Sequence, residues 1–522
     1  MNDLSNPPVG DVKTASPVDS CDLCIVGAGI AGLNALAVAA EYLPRTARIV
    51  LIDAGRHPGG MWNSVYDYSR LHQPHAAFTV GDRAWNWSHA TDYLARGHEV
   101  ARHLERCFHD VGRSLNLVER FEHRVSECRP DGHGALVTYA PADGSGASRR
   151  LRAQRVINAI GFDIRPSRPL SFSSRAVVSL TPQAFGEHGL SQSRAPIYLS
   201  GGGKTGMDSA YAALTRSPFR KVTLVNGSGS LFLDRDKLFP KGLQRWWRGI
   251  LVADLFRDLA LRFDGHNEDE VHDRLRETYT HRVGAGDGRF LFGLLSRGER
   301  DVIAHGLKDV VEDYLEDVVD GPDGPEMVLR NGARRPVRAG SLFVNCSGHL
   351  MKTERPADPV LSSNGAILTI SPRAMVHFQS ATAAYFLAHL YFRGQLSRVP
   401  LYQLDGQTLF KRSSRAYVAA AVAVSYLNTI TFFRTLPADV LARCKLDFDR
   451  LHPPHRRLRA LLGIAFAGRR RAARCRQSLD VLCRRFDVQY GPLQHPPVRS
   501  ATGDGTRAPW LVPTPPLPMA NR

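Results

Sequence analysis

Leu23-Cys24-Ile25-Val26-Gly27-Ala28-Gly29-Ile30-Ala31-Gly32 is an apolar run that feeds a G-x-G-x-x-G fingerprint, with a helical pattern behind it. Ile197-Tyr198-Leu199-Ser200-Gly201-Gly202-Gly203-Lys204-Thr205-Gly206 repeats that form about 175 residues later. In such a strand–turn–helix the first glycine makes the tight turn. The second lets backbone N–H groups close on a pyrophosphate, and the third allows close helix–sheet packing. The phosphates sit at the helix N-terminus, where unpaired N–H groups and the helix dipole favour negative charge. One such match is weak. Two in one chain, each with strand before and helix after, indicate two dinucleotides and electron transfer between them.

Outward from the first fingerprint, a helical run (Leu33 to Leu43) stops at Pro44, and Arg48-Ile49-Val50-Leu51-Ile52-Asp53 reads as the second parallel strand. An acid at its end accepts hydrogen bonds from ribose hydroxyls and repels a 2′-phosphate, so this unit takes FAD or NAD. The matching strand of the second unit, Lys221-Val222-Thr223-Leu224-Val225-Asn226, ends on an amide instead. With Lys204, Arg220, Lys221 and Arg235 as cationic partners, that end favours NADPH, with NADH as the alternative. The expected cofactor contacts are Gly27, Ala28, Gly29, Ile30, Gly32 and Asp53 in the first unit. In the second they are Gly201, Gly203, Lys204, Thr205 and Gly206.

Alternation over Arg120–Arg129 and Gly134–Ala140 around Pro130-Asp131-Gly132 predicts a hairpin, and Val125 on its first strand joins the cofactor contacts. Val156-Ile157-Asn158-Ala159-Ile160-Gly161 and Leu342-Phe343-Val344-Asn345-Cys346-Ser347-Gly348 are buried strands ending in small residues and glycine.

Asp53 followed by Gly59-Gly60-Met61-Trp62 resembles the two-dinucleotide flavoprotein superfamily, and within it the flavin-containing and Baeyer–Villiger-type monooxygenases. Further matches at Asn63, Leu71-His72-Gln73-Pro74, Gly201 to Asp208 and Phe232-Leu233-Asp234-Arg235 resemble a group of FAD/NAD(P)-binding oxidoreductases with no assigned substrate, over roughly residues 21–430. The resemblance implies an α/β fold of two Rossmann-like (βαβ, three-layer) dinucleotide-binding domains, the NAD(P) domain inserted into the FAD domain. It implies FAD beside Gly60, Met61 and Trp62, and His72 and Gln73 as flavin-side catalytic groups. It also implies hydride transfer from NADPH and oxygen insertion into a small organic substrate through a flavin C4a-hydroperoxide. One departure stands out. Phe172 to Pro182 lacks the F-x-G-x-x-x-H element of those monooxygenases, which puts ketone-to-ester chemistry in doubt. A flavin reductase without oxygen insertion, or a non-catalytic flavoprotein scaffold with a polyanion-binding tail, are the alternatives.

The expected organisation is a tail (1–20), a first part of the FAD domain (21–170) and an inserted NAD(P) domain (171–340). A second FAD part with substrate-side elements (341–436) and a basic Arg-rich extension (437–522) follow. The 522 residues suffice for two or three cores. Of the net charge of +18, the extension supplies ten, from 16 Lys/Arg against 6 Asp/Glu. That charge reads either as a patch for a polyanion or anionic membrane, or as an Arg-rich helical surface. A zinc framework and a basic–aromatic repeat are both missing, so no nucleic acid and no metal is expected. Residues 1–20 carry no apolar core of a signal peptide. Tyr417–Phe433 falls short of the roughly 20 residues of a membrane span, so a core helix and a cytoplasmic protein are expected. Cys21 and Cys24 have redox-dithiol spacing but fall in the first strand. The partners expected are a small-molecule substrate and O2. No oligomeric state follows from the sequence.

Overall fold

The computed structural model describes residues 18–161, 167–190, 194–348, 359–371 and 373–493. The expected tail lies outside these except for its last three residues, as does the end of the basic extension.

The first sheet runs in the order β3 (Asn116–Arg120), β2 (Arg48–Ile52), β1 (Asp19–Val26), β6 (Arg149–Asn158), β5 (Gly134–Pro141), β4 (His123–Asp131). β1 begins inside the expected tail. Its inner half, Leu23 to Val26, is buried on both faces, as a central parallel strand requires. β1 pairs in parallel with β2 (Leu23 beside Ile49) and with β6 (Ile25 beside Ile157). β6 is shared along its length. Its first half pairs antiparallel with β5 and its last residues pair in parallel with Ile367–Thr369, so the chain leaves and re-enters this sheet on one strand. Helices α1 (Ile30–Tyr42) and α2 (Gly97–Gly112) and the helix Ser380–Phe392 share one core with β1 and β2.

Between the two passages lies a second, all-parallel sheet. Its order is Asp309–Val311, Val222–Val225, Ile197–Ser200, Leu342–Asn345, Val178–Leu180, with the helix Lys204–Arg216 after its first fingerprint strand. Two Rossmann-like units with one inserted in the other are therefore present, as the fingerprints and the family resemblance together lead one to expect. Phe172, in the stretch that departs from the monooxygenase pattern, packs edge-on against Phe343 at 5.0 Å.

The core helix expected over Tyr417–Phe433 is present and belongs to a further helical layer. It spans Ser414–Thr435, long and apolar enough to cross a membrane, and 89% of its most apolar 18-residue stretch is buried inside the protein. Its Val424, Tyr426 and Ile430 lie in one core with Ile464, Cys475, Leu479 and Leu482 of the long helix Pro454–Arg485. Tyr490–Pro492 pairs with Tyr402–Asp405. The described residues beyond 437, up to 493, thus form part of the core wall.

Candidate functional site

The two fingerprint turns superimpose in their local logic. Gly27 N–H donates to Ile52 O at 2.8 Å, and Gly201 N–H to Val225 O at 2.9 Å. The first and third glycines are demanded by the fold. Gly27 (φ +101°) would place a Cβ 2.5 Å from Ala159 O, and Gly201 (φ +119°) one 2.8 Å from Cys346 O. At Gly32 and Gly206 a Cβ would fall 1.8 and 2.0 Å from the carbonyls of Gly27 and Gly201.

The middle glycines are different. Gly29 has ordinary φ and a Cβ there would meet nothing nearer than Gly60 Cα at 3.7 Å; at Gly203 it would meet nothing within 4 Å. Both are helix N-caps, and neither helix has a side chain capping its first-turn N–H groups. Neither glycine is explained by protein packing.

Around the first cradle, Asp53 lies at the end of β2, where its carboxylate accepts from Ala28 N–H and Gly55 N–H, both at 2.6 Å. Those two donors fix it beside the turn. Gly59 N–H donates to Ala28 O at 2.9 Å, and a Cβ at Gly60 would come within 2.8 Å of Gly29 Cα, so the two backbones face each other. Met61 is exposed and Trp62 half-buried, its ring edge-on to Phe78 at 5.8 Å. His123 N–H, at the start of β4, donates to Asp53 O at 3.0 Å, which brings the strand carrying Val125 to the same end of β2.

The loop after Trp62 ties the two units together. Tyr66 donates to Asp208 at 2.9 Å and Tyr68 bonds Ser209 at 2.9 Å, both on the second fingerprint helix. Arg235 Nε donates to His72 O at 2.8 Å and its guanidinium pairs with Glu299 at 2.8 Å. Here His72 and Gln73 meet Ile30 of α1 in a cavity of about 310 Å³. Most of its remaining wall is apolar (Phe256, Phe290, Phe292 and Phe378 among it), and no Asp, Glu, Lys or Arg lines it. Burial, with Lys204 and Arg235 nearby, holds the His72 imidazole well below its ordinary pKa of 6.5. His72 is therefore a neutral hydrogen-bonding group at physiological pH, not an imidazolium acid.

Sequence reasoning missed Gln379 to Thr382, the N-terminal turn of the helix Ser380–Phe392, which brings its positive dipole end to the same cavity. No motif marks this turn; only the chain's return to the first sheet puts it there. Phe290 and Phe292 were equally invisible, since Arg289–Leu295 reads as any apolar strand.

At the second cradle the expected cations are mostly committed. Lys204 pairs with Asp208 one turn along, both side chains 13% exposed. Arg220 is spent on the backbone carbonyls of Gly189 and Ala195. Arg235 is taken by Glu299. Only Lys221 is exposed and without a carboxylate partner among the described residues. Asn226 does not leave its strand end uncharged either. Its Nδ2 donates to the Glu312 carboxylate at 3.0 Å, and Ala285 N–H donates to the other oxygen at 2.7 Å. The carboxylate missing from the second strand is supplied from beyond the neighbouring strand Asp309–Val311.

The remaining sequence candidates are structural. Cys21 and Cys24 are buried in β1; burial pushes the Cys21 thiol to about 12 and Cys24 well above its ordinary value, so neither is a ready thiolate. Asp234 caps the helix Arg235–Leu238 and pairs with Arg297 at 2.9 Å. Among the described residues no cluster of His, Cys, Asp and Glu could hold a metal ion.

A family described as "NAD(P)-binding Rossmann-like domain" matches residues 25–104, the first cradle and the loop behind it. An uncharacterized protein of Mycobacterium tuberculosis (strain ATCC 25618 / H37Rv) is 25% identical over 414 residues, 75% of this chain and 70% of that one. Among solved structures, a flavin-containing monooxygenase from Stenotrophomonas maltophilia has 15% identity and a TM-score of 0.42, over 72% of this chain and 98% of that one. The FAD-bound cadaverine monooxygenase of Erwinia amylovora has 14% identity and a TM-score of 0.47, over 73% and 94%.

Proposed function

We propose that the chain is an oxidoreductase that binds FAD in the first cradle and a nicotinamide dinucleotide in the second, and that it monooxygenates a small, uncharged, apolar molecule. The observation that carries this reading is the pair Gly29 and Gly203. Each is a glycine the fold does not need, at the mouth of a helix that a pyrophosphate would cap. The Gly59–Trp62 turn, backed onto Gly29 and leading straight to the cavity, favours the flavin at the first cradle.

FAD fits these residues. Ile30 and Ala31 would meet its pyrophosphate with first-turn N–H groups, and Asp53 would accept from its ribose. Bound flavin supplies two-electron reduction by nicotinamide and one-electron steps toward O2. The chain's own residues do the rest. The aromatic wall excludes water and takes up an apolar substrate. Gln73, Gln379 and the neutral His72 are the polar groups that orient it, and the Ser380 turn offers N–H donors where negative charge develops. A charged amine or amino acid would be left without a counter-ion in that cavity.

The segment that departs from the monooxygenase pattern keeps the reductase reading in view. Ser173 and Ser174 there are engaged with Asp317 and Asp320, and Phe172 with Phe343, so these three side chains are committed within the second unit. The deciding experiment is oxidation of NADH and NADPH by purified holoprotein under labelled O2, across a panel of neutral apolar and charged substrates. Label in the product supports oxygen insertion; hydrogen peroxide in equal yield to nicotinamide consumed, with every substrate, refutes it.

A further inference from the structure

The outer face of the helix Pro454–Arg485 is apolar where a solvated helix should be polar. Its inner face, with Ile464, Cys475 and Leu479, is committed to the core. On the opposite side Leu458, Leu462 and Phe466 follow one another at i+4 spacing and are 55%, 46% and 87% exposed. Trp246 stacks over His455 at the head of that line, 6.1 Å between ring centres, and Trp247 beside it is 67% exposed. Scattered exposed apolar residues need no explanation; a line of them capped by two tryptophans does.

Charge surrounds the line on both flanks. Between Pro454 and Gln477 the chain carries eight arginines and no carboxylate. Arg459, Arg469, Arg470 and Arg474 are exposed, with no acidic partner among the described residues. At the head of the helix a cleft of about 520 Å³ opens, lined by Trp246, Pro454, Arg83, Arg245, Lys445 and Arg450 with no carboxylate in its wall. The stacked Trp85 and Trp87 form its side.

We propose that this face docks on an anionic phospholipid bilayer. Leu458, Leu462, Phe466 and Trp247 would enter the interface, the flanking arginines would lie at phosphate level, and a headgroup phosphate would enter the basic cleft. Only such a surface meets both halves of the patch. A second copy packed face to face would press the same unpaired arginines against each other. A nucleic acid would neutralise the arginines but offer nothing to the leucines. A bilayer supplies an apolar interior under an anionic skin, the combination that interfacial helices of this composition exploit. The segment Lys445–Leu451 also gives the docking a purpose: Lys445, Arg450 and Leu451 face the basic cleft while Leu446 and Phe448 line the apolar cavity. One strip of chain separates the membrane face from the substrate cavity. That last link rests on the proposed function; the docking does not.

The test is co-flotation of the full-length protein with phosphatidylcholine vesicles, with and without phosphatidylglycerol. Binding is expected only with the anionic lipid and should fall as salt rises. Phe466→Ser should weaken it about tenfold by removing the aromatic side chain that enters the bilayer, and Arg469→Ala and Arg470→Ala about fivefold each. Melting temperature should not move, because these side chains contact solvent. Leu458→Gln, on the same line, should repeat the Phe466→Ser loss. Equal binding to neutral vesicles, or none to anionic ones, overturns the proposal. So does a dimer that dissociates in Phe466→Ser, or tight nucleic-acid binding that Phe466→Ser leaves unchanged. Flavin content and nicotinamide oxidation are measured in the same preparations, so failure of the redox reading would be seen separately.

Discussion

Replacing Gly29 by valine separates what the fold needs from what a ligand needs. A Cβ at this position meets only Gly60 Cα, at an ordinary contact distance of 3.7 Å, and the backbone is already in a conformation any residue adopts. The cost to stability is that of a poorer N-cap, about 1 kcal/mol. The cost to a bound pyrophosphate is larger, because the new side chain stands where its oxygens approach the first-turn N–H groups. Losing two charge-assisted hydrogen bonds removes about 3–6 kcal/mol, a hundredfold to ten-thousandfold in Kd. The variant should therefore purify folded, melt within a few degrees of the parent and be colourless. Gly32→Ala is the contrasting control: its Cβ would sit 1.8 Å from Gly27 O, so it should fail as a fold rather than as a site. The assay is the ratio of flavin to protein absorbance, FAD titration of the apoprotein, and a thermal melt. A Gly29→Val protein as yellow as the parent would refute the argument that this glycine serves a ligand.

Truncation after residue 436 should cost the fold as well as the tail. Ile464, Cys475, Leu479, Leu482 and Cys483 are buried against the preceding helix, and at about 1.5–3 kcal/mol each their loss matches or exceeds the whole stability of a typical domain. Insoluble or molten protein is the expected result, and a soluble yellow truncation would contradict it. Glu312→Gln should lower the KM for NADPH relative to that for NADH, because it removes a carboxylate from the ribose end of the second cradle; an unchanged ratio in steady-state kinetics would exclude that role. Acid should destabilise the protein through buried imidazoles. His103 accepts from Arg106 and bonds Thr79, and His389 bonds Tyr42; burial lowers both to about 3 from an ordinary 6.5. A depressed folded-state pKa means full stability above pH 6.5 and progressive loss between 6.5 and 3, worth about 2 kcal/mol per histidine by pH 5. Urea midpoints measured from pH 8 to pH 5 should fall accordingly, and a flat profile would show that these rings are solvated.

The two cradles are written into the amino-acid sequence. A glycine fingerprint is a local device: the strand, the turn, the helix N-terminus and Asp53 lie within about 30 residues, and the chemistry of each is written in side-chain size alone. The same locality made β1, α1, β2 and the hairpin readable, whereas His72 and Gln73 followed only from the family resemblance. What tertiary structure decided is everything that depends on distant segments meeting. Glu312 supplies the charge that Asn226 lacks, because adjacent parallel strands bring residues 86 apart together. Lys204 and Arg235, free on paper, are neutralised by Asp208 and Glu299. The cavity behind His72 exists only because the helices from both passages of the chain and the strand Arg289–Leu295 converge on Ile30. The basic helix illustrates the point most plainly. Its composition announced charge, but only packing revealed which face was spent on the core and which apolar line was left for something outside.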